Sequence, residues 1–129
     1  MQVSRVVLID IVGDPPGSFA KGKALDLFEA APVMKFDLNI SGGNDYGMTA
    51  DSGVVVVTAG VPRKKKPDGT FPSRDELVAT NQAIVGSVVR EAVKYSPNAV
   101  LIIVSNTFYS WGESLTAAFL PELARAESL

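Results

Sequence analysis

Three short apolar runs organise the chain: Val6-Val7-Leu8-Ile9, Val54-Val55-Val56-Val57 and Val100-Leu101-Ile102-Ile103-Val104. They are rich in β-branched residues, do not alternate, and are bounded by polar residues or glycine. That pattern predicts strands buried on both faces of a parallel sheet. The intervening segments are long enough for helical crossovers. From 17 to 31 the apolar positions Ala24, Leu27, Phe28 and Ala31 recur at helical spacing, after which Phe36, Leu38 and Ile40 alternate as in a half-buried strand. Ser73-Arg74-Asp75-Glu76 spells a capping box. Behind it Leu77, Ile84, Val85, Val88, Val89 and Ala92 continue one apolar stripe to about Tyr95, where Ser96-Pro97-Asn98 stops the helix. Strand, helix, strand, helix, strand is the order of an α/β sheet with crossover connections.

Sheets of that kind bind ligands at the carboxyl ends of their strands. Here those ends are Asp10 and Ile11, the stretch from Thr58 to Arg63, and Ser105-Asn106. Composition narrows the chemistry available there. The 129 residues suit one compact domain and include no histidine and no cysteine. Disulfides, thiolate zinc sites, cysteine nucleophiles, imidazole bases and His-ligated metals are therefore excluded, and no metal is expected. Apolar residues make up 47% of the chain, yet no run approaches the length of a membrane span. With no signal-peptide pattern after Met1, the expected location is cytoplasmic, and the acceptor motif Asn39-Ile40-Ser41 is discounted.

Net charge is −2, but it is unevenly placed. The segment from Arg63 to Arg74 holds five basic residues against one acidic, so it carries +4 and leaves −6 for the remainder. It reads as a nucleic-acid contact, a solvated charge run or an anion-binding lid. Nucleic-acid binding is the weakest of these, because the rest of the chain is acidic and Phe71 is the only aromatic nearby. The lid reading draws on placement: Arg63 follows a strand end, Arg74 opens a helix, and two guanidiniums at that edge suit bidentate capture of carboxylates.

Other motifs divide between functional and local roles. Asp10, ending the first strand, stands where a dinucleotide-binding fold places a ribose-binding carboxylate, and it is equally a turn former. Gly17-Ser18-Phe19-Ala20-Lys21-Gly22-Lys23 matches most of a phosphate-binding P-loop. Ala24 occupies the position that needs a magnesium-binding hydroxyl, however, so the segment is better read as a helix start. No two glycines are spaced as Gly-x-Gly. Asn106 serves either to cap a turn or to offer its amide to a ligand. Ser110-Trp111-Gly112-Glu113 would cap a helix bearing Leu115, Ala118 and Phe119, interrupted by Pro121.

Taken in order, five segments resemble the NAD-dependent malate and lactate dehydrogenase family. They are Val7-Leu8-Ile9-Asp10-Ile11-Val12; Gly22-Lys23-Ala24-Leu25-Asp26-Leu27; Val55-Val56-Val57-Thr58-Ala59-Gly60-Val61-Pro62-Arg63; Ser73-Arg74-Asp75-Glu76-Leu77 with Asn81; and Pro97-Asn98-Ala99 with Val104-Ser105-Asn106. The resemblance implies a Rossmann-type doubly wound parallel sheet, incomplete because the family's first strand and glycine-rich turn would precede residue 1. It implies a partial NAD-binding domain over 1–106, and a divergent helical tail, or one misread from the gene, over 107–129.

The same resemblance implies residue roles. Asp10 and Ile11 would border the adenosine ribose, Asp10 favouring NAD over NADP. Thr58, Ala59 and Gly60 would lie along the dinucleotide, Asn81 would contact the cofactor, and Val104 and Asn106 would flank the nicotinamide. Asn106 would also hydrogen-bond the substrate's hydroxyl or carbonyl. Arg74 would polarise that carbonyl as hydride arrives, and Arg63 would read a distal carboxylate, which favours malate and oxaloacetate. A lid about five residues longer than in typical malate dehydrogenases resembles that of apicomplexan lactate dehydrogenases, with Phe71 close to their selecting aromatic. Lactate and pyruvate come second for that reason. The family's proton-transferring aspartate and histidine, and the arginine clamping the substrate's own carboxylate, would lie beyond 129, so the isolated chain is expected to be inactive. The family enzyme is expected to be a homo-oligomer. A different class of reading is a non-catalytic nucleotide-binding or subunit-interaction module, pairing through the helix of residues 77–92.

Overall fold

The computed structural model describes residues 3–104, and the tail of 107–129 lies outside them together with Ser105 and Asn106. The chain divides into two compact units, Met1–Thr49 and Ala50–Leu129. All strand pairing among the described residues is parallel, in two two-stranded sheets. A two-stranded sheet is marginal alone in water, and each of these is backed by one helix.

In the first unit β1 (Arg5–Ile9) pairs with β2 (Asn39–Gly43) in register from Arg5 opposite Asn39 to Ile9 opposite Gly43. The Asp10 amide extends the ladder by donating to Gly43 O at 3.0 Å. Helix α1 (Ser18–Met34) is the crossover between them. Its N-cap, Gly17, sits at φ 81°, and a Cβ there would lie 2.6 Å from the Asn44 amide nitrogen, so glycine is required on both counts. The helix ends through Lys35 at φ 57°, whose N–H donates to Ala31 O. A 3-10 helix, Tyr46–Thr49, closes the unit.

Helix α1 departs from the expected apolar stripe. Its buried residues are Ala20 and Ala24, whereas Leu27 and Phe28 are 44% and 56% exposed. The reason is the partner surface. A Cβ on Gly42 of β2 would meet Ala20 O at 2.2 Å, so the helix backbone lies directly on the strand and only small residues fit at the contact. The helix also runs three residues past Ala31, with Pro32 inside its last turn. The alternation of Phe36, Leu38 and Ile40 holds, all three being half-buried, but the strand itself begins only at Asn39.

In the second unit β3 (Val54–Val57) pairs with β4 (Val100–Ile103), Val54 opposite Val100 and Val57 opposite Ile103. Helix α2 (Arg74–Tyr95) is the crossover, and its core is Val57, Val85 and Val89, with Val55, Val78, Leu101 and Ile103 packed around them. The expected stripe is confirmed, and it faces this sheet. Val85, Val88 and Val89 of that stripe are spent on this internal core, while Leu77 and Ile84 are half-buried. Ser96, buried past the helix end, accepts a hydrogen bond from the Ser52 amide on its hydroxyl and ties α2 to the start of β3.

Burial of the strands on both faces is corrected by the structure. In β3 and β4 the side chains alternate: Val55, Val57, Leu101 and Ile103 point to α2, while Val54, Val56, Val100 and Ile102 are exposed. Within this unit only one face is covered by a helix. In β1 the four residues after Arg5 are half-buried.

Candidate functional site: the carboxyl ends of the strands

Because β3 and β4 are parallel and in register, the residues that follow them emerge at one edge. Val104 donates its N–H to Val57 O at 2.8 Å, the last rung of the ladder among the described residues. Beyond that rung Thr58, Ala59 and Gly60 make no hydrogen bond among the described residues. Thr58 and Gly60 are exposed, and Ala59 packs inward on the Val57–Val85–Val89 core. Their backbone N–H and C=O groups are thus open to a ligand.

The next residue is held tightly. Val61 N–H donates to Asn81 Oδ1 at 2.6 Å and Asn81 Nδ2 donates to Val61 O at 3.1 Å. Asn81 is 1% exposed and occupies a position in the apolar stripe of α2.

The basic segment folds on itself. Lys66 N–H donates to Thr70 O at 2.7 Å and Gly69 N–H to Lys66 O at 2.9 Å, while Asp68 Oδ1 accepts from both the amide and the hydroxyl of Thr70. The Thr70 bonds hold the Asp68 carboxyl below its ordinary value. Lys66 Nζ reaches Glu76 at 3.2 Å, the residue whose carboxylate also accepts from Ser73 N–H at 2.8 Å in the capping box. The Ser73 amide, then the Lys66 ammonium, push the Glu76 carboxyl below its usual range. One carboxylate therefore both caps α2 and ties the loop to it.

Arg63 and Arg74 bracket this loop. The Arg63 Nε donates to Pro72 O at 3.1 Å, and its guanidinium lies 5.5 Å from the centroid of the Phe71 ring. Arg74 is the first residue of α2, exposed and without an ion pair among the described residues. Lys64 and Lys65 are exposed as well.

In the first unit Asp10 and Ile11 stand at the carboxyl end of β1. One Asp10 carboxylate oxygen accepts from Val12 N–H at 3.0 Å, the turn-forming role, and the other has no partner among the described residues. Ile11 is 77% exposed. The P-loop-like segment is a helix start: Gly17 caps α1, and Lys23 pairs along the helix with Asp26 at 3.5 Å.

Sequence reasoning brought Thr58, Ala59, Gly60 and Val104 to one edge correctly. It missed the pin on Val61, the Phe71 and Pro72 seat for Arg63, and the second role of Glu76. The signal for the first was an amide in an apolar stripe, between Val78 and Val85.

Comparison with known proteins decides the family. Residues 1–109 match the lactate/malate dehydrogenase NAD-binding domain. The chain belongs to that family. A malate dehydrogenase of Geobacillus kaustophilus is 50% identical over 107 residues, covering 81% of this chain and 31% of that enzyme. Among solved structures, the malate dehydrogenase of Salinibacter ruber superposes with TM-score 0.72 at 35% identity, over 90% of this chain and 33% of that one. A lactate dehydrogenase of Cryptosporidium parvum, complexed with lactic acid and NAD, superposes with TM-score 0.70 at 28% identity, over 93% and 34%. The chain thus spans about a third of the length of its relatives, and its architecture is a partial Rossmann domain with NAD as the family's cofactor.

The residues present fit that cofactor locally. The free Asp10 oxygen is an acceptor suited to a ribose hydroxyl, and the open backbone of residues 58–60 can lie against a dinucleotide without losing internal bonds.

Proposed function

We propose that the chain is the cofactor-binding part of an NAD-dependent dehydrogenase that interconverts a 2-hydroxy acid and its 2-oxo acid, malate and oxaloacetate first, lactate and pyruvate second. The observation that carries this reading is the open turn of residues 58–60 beside a folded loop bracketed by two arginines. Bound NAD supplies the hydride acceptor at its nicotinamide ring. The chain's own residues orient. Asp10 and Ile11 border the adenosine ribose, Thr58, Ala59 and Gly60 line the dinucleotide, and Val104 with Asn106 flanks the nicotinamide.

In the reaction a 2-hydroxy acid loses hydride from C2 and its hydroxyl proton to a base, which leaves the 2-oxo acid. Arg74 stabilises the charge developing on the substrate oxygen, and Asn106 hydrogen-bonds the same oxygen. Arg63 pairs with a distal carboxylate, the ground for preferring malate. The histidine that serves as proton base in the family the chain resembles is not among these 129 residues, which contain no histidine. Homo-oligomerisation and a cytoplasmic location belong to the same proposal; no described helix is long and apolar enough to cross a membrane.

A steady-state assay of the isolated chain with NADH and oxaloacetate or pyruvate is expected to show no rate above buffer, and turnover would overturn the orienting-only role. Calorimetric titration with NADH is expected to show weak binding. Absence of any heat, with the chain demonstrably folded, would favour an interaction module instead.

A further inference from the structure

We propose that Asn81 is a positioning residue, whose side-chain amide stands in for a neighbouring strand against Val61 and thereby sets the path of residues 58–60. The functional part of this inference rests on the reading that those residues line the dinucleotide.

The argument begins with an anomaly on helix α2. Its buried face runs through Val78, Asn81, Val85, Val89 and Ala92, so one carboxamide is placed where every neighbour in the stripe is apolar. Burying an amide is unfavourable unless its polar atoms are paired. Here the oxygen accepts from Val61 N–H at 2.6 Å and the nitrogen donates to Val61 O at 3.1 Å. A single residue's N–H and C=O are both taken by one partner, the exchange that an opposing strand residue makes in a ladder. With 1% of its surface exposed and both ends engaged, Asn81 has little amide left for a cofactor.

The position of Val61 gives the pin its consequence. The last rung of the β3–β4 ladder among the described residues is the Val104 to Val57 bond, and no described residue of β4 bonds to the chain beyond Val57. Residues 58–60 therefore bridge two fixed points, Val57 and Val61, with Ala59 turned into the core between them. That arrangement leaves three peptide groups open yet held, which is how a backbone wall is preorganised for a ligand. Pro62, which has no N–H, follows at once and starts the basic loop. Asn81 marks the boundary between the held turn and that loop.

Nuclear magnetic resonance of the complete 129-residue chain tests this. In the wild type the Val61 amide is expected to exchange as slowly as the core amides of Val85 and Val89; exchange as fast as at Lys64 and Lys65 would overturn the proposal without any variant. Asn81→Leu removes both bonds while suiting the apolar stripe. Asn81→Asp keeps the acceptor for Val61 N–H but sets an oxygen against Val61 O. In both, the Val61 amide should exchange about tenfold faster or more, with shift changes confined to residues 58–63 and Val85 and Val89 unmoved. No change at 58–63, or equal change at Val85 and Val89, would reduce Asn81 to a general structural residue. Titration of the wild type with NADH separates the two readings. Shifts at residues 58–60 support the wall, and shifts at the Asn81 side-chain amide with Val61 unmoved would restore a direct contact and overturn the pin. If NADH moves none of these, the cofactor reading fails while the exchange data still decide the pin.

Discussion

Two glycine-to-alanine substitutions in the same small unit, at Gly42 and Gly22, should change stability in opposite directions. At Gly42 an added Cβ would stand 2.2 Å from Ala20 O, 2.5 Å from Ala20 C and 2.8 Å from Lys21 N, all backbone atoms of α1. Ordinary contact starts at 3.4 Å, so the helix must move off β2 by roughly 1 Å, and close-packed interiors resist such shifts. Overpacking of this kind costs about 1–3 kcal/mol, and the backbone nature of all three contacts places Gly42→Ala at the upper end of that range. Gly22 lies within α1, and nothing stands within 4 Å of its added Cβ. There the substitution only removes backbone freedom from the unfolded chain and improves helix propensity, a gain of about 0.8–1 kcal/mol. Urea unfolding followed by circular dichroism, with amide exchange in α1 as the local reporter, measures both. Equal stability of Gly42→Ala and wild type would refute the close approach of α1 to β2, and a loss in Gly22→Ala would refute the open space beside Gly22.

Further outcomes follow from the second unit. Val85→Ala removes two methyl groups from a fully buried site and should cost about 2 kcal/mol by urea midpoint. Ser73→Ala loses the bond from Glu76 N–H at 3.1 Å and should cost about 1 kcal/mol, seen as fraying of the first turn of α2. Glu76→Gln should keep the capping box but release Lys66, loosening the Lys66 and Gly69 amides while leaving the Ser73 amide bonded; loss of both together would contradict the separation. Because the Glu76 carboxyl is held below its ordinary value, its bonds contribute fully above the usual glutamate range and are lost as pH falls through the depressed value. An acid titration should therefore move the Ser73 and Lys66 amide shifts together, at a pH below that of an unperturbed glutamate. Phe71→Leu removes a cation–π contact of about 0.5–1 kcal/mol, and Arg63 Nε relaxation should then report faster motion.

What the sequence determined alone was the set of elements whose pattern depends on local periodicity. The valine runs became β3 and β4, the capping box opened α2 at Arg74, and the stripe through Val85, Val89 and Ala92 became the buried face. These are legible because strand and helix periods are properties of the backbone and survive any arrangement of partners. The order of the five segments likewise carried the family, since it reflects which residues follow each strand.

Tertiary structure decided the rest, for reasons of distance rather than period. Ala20 and Ala24 face inward in place of Leu27 and Phe28 because Gly42, some twenty residues away in sequence, lets the backbones touch. Arg63 is seated by Phe71 and Pro72 because the loop folds back nine residues later. Asn81 could be marked as a polar residue in an apolar stripe, but its partner, Val61, lies twenty residues before it and is identified only when the end of β3 passes over α2. A buried amide must find partners for its oxygen and nitrogen, and which backbone groups provide them is fixed only once the chain is packed.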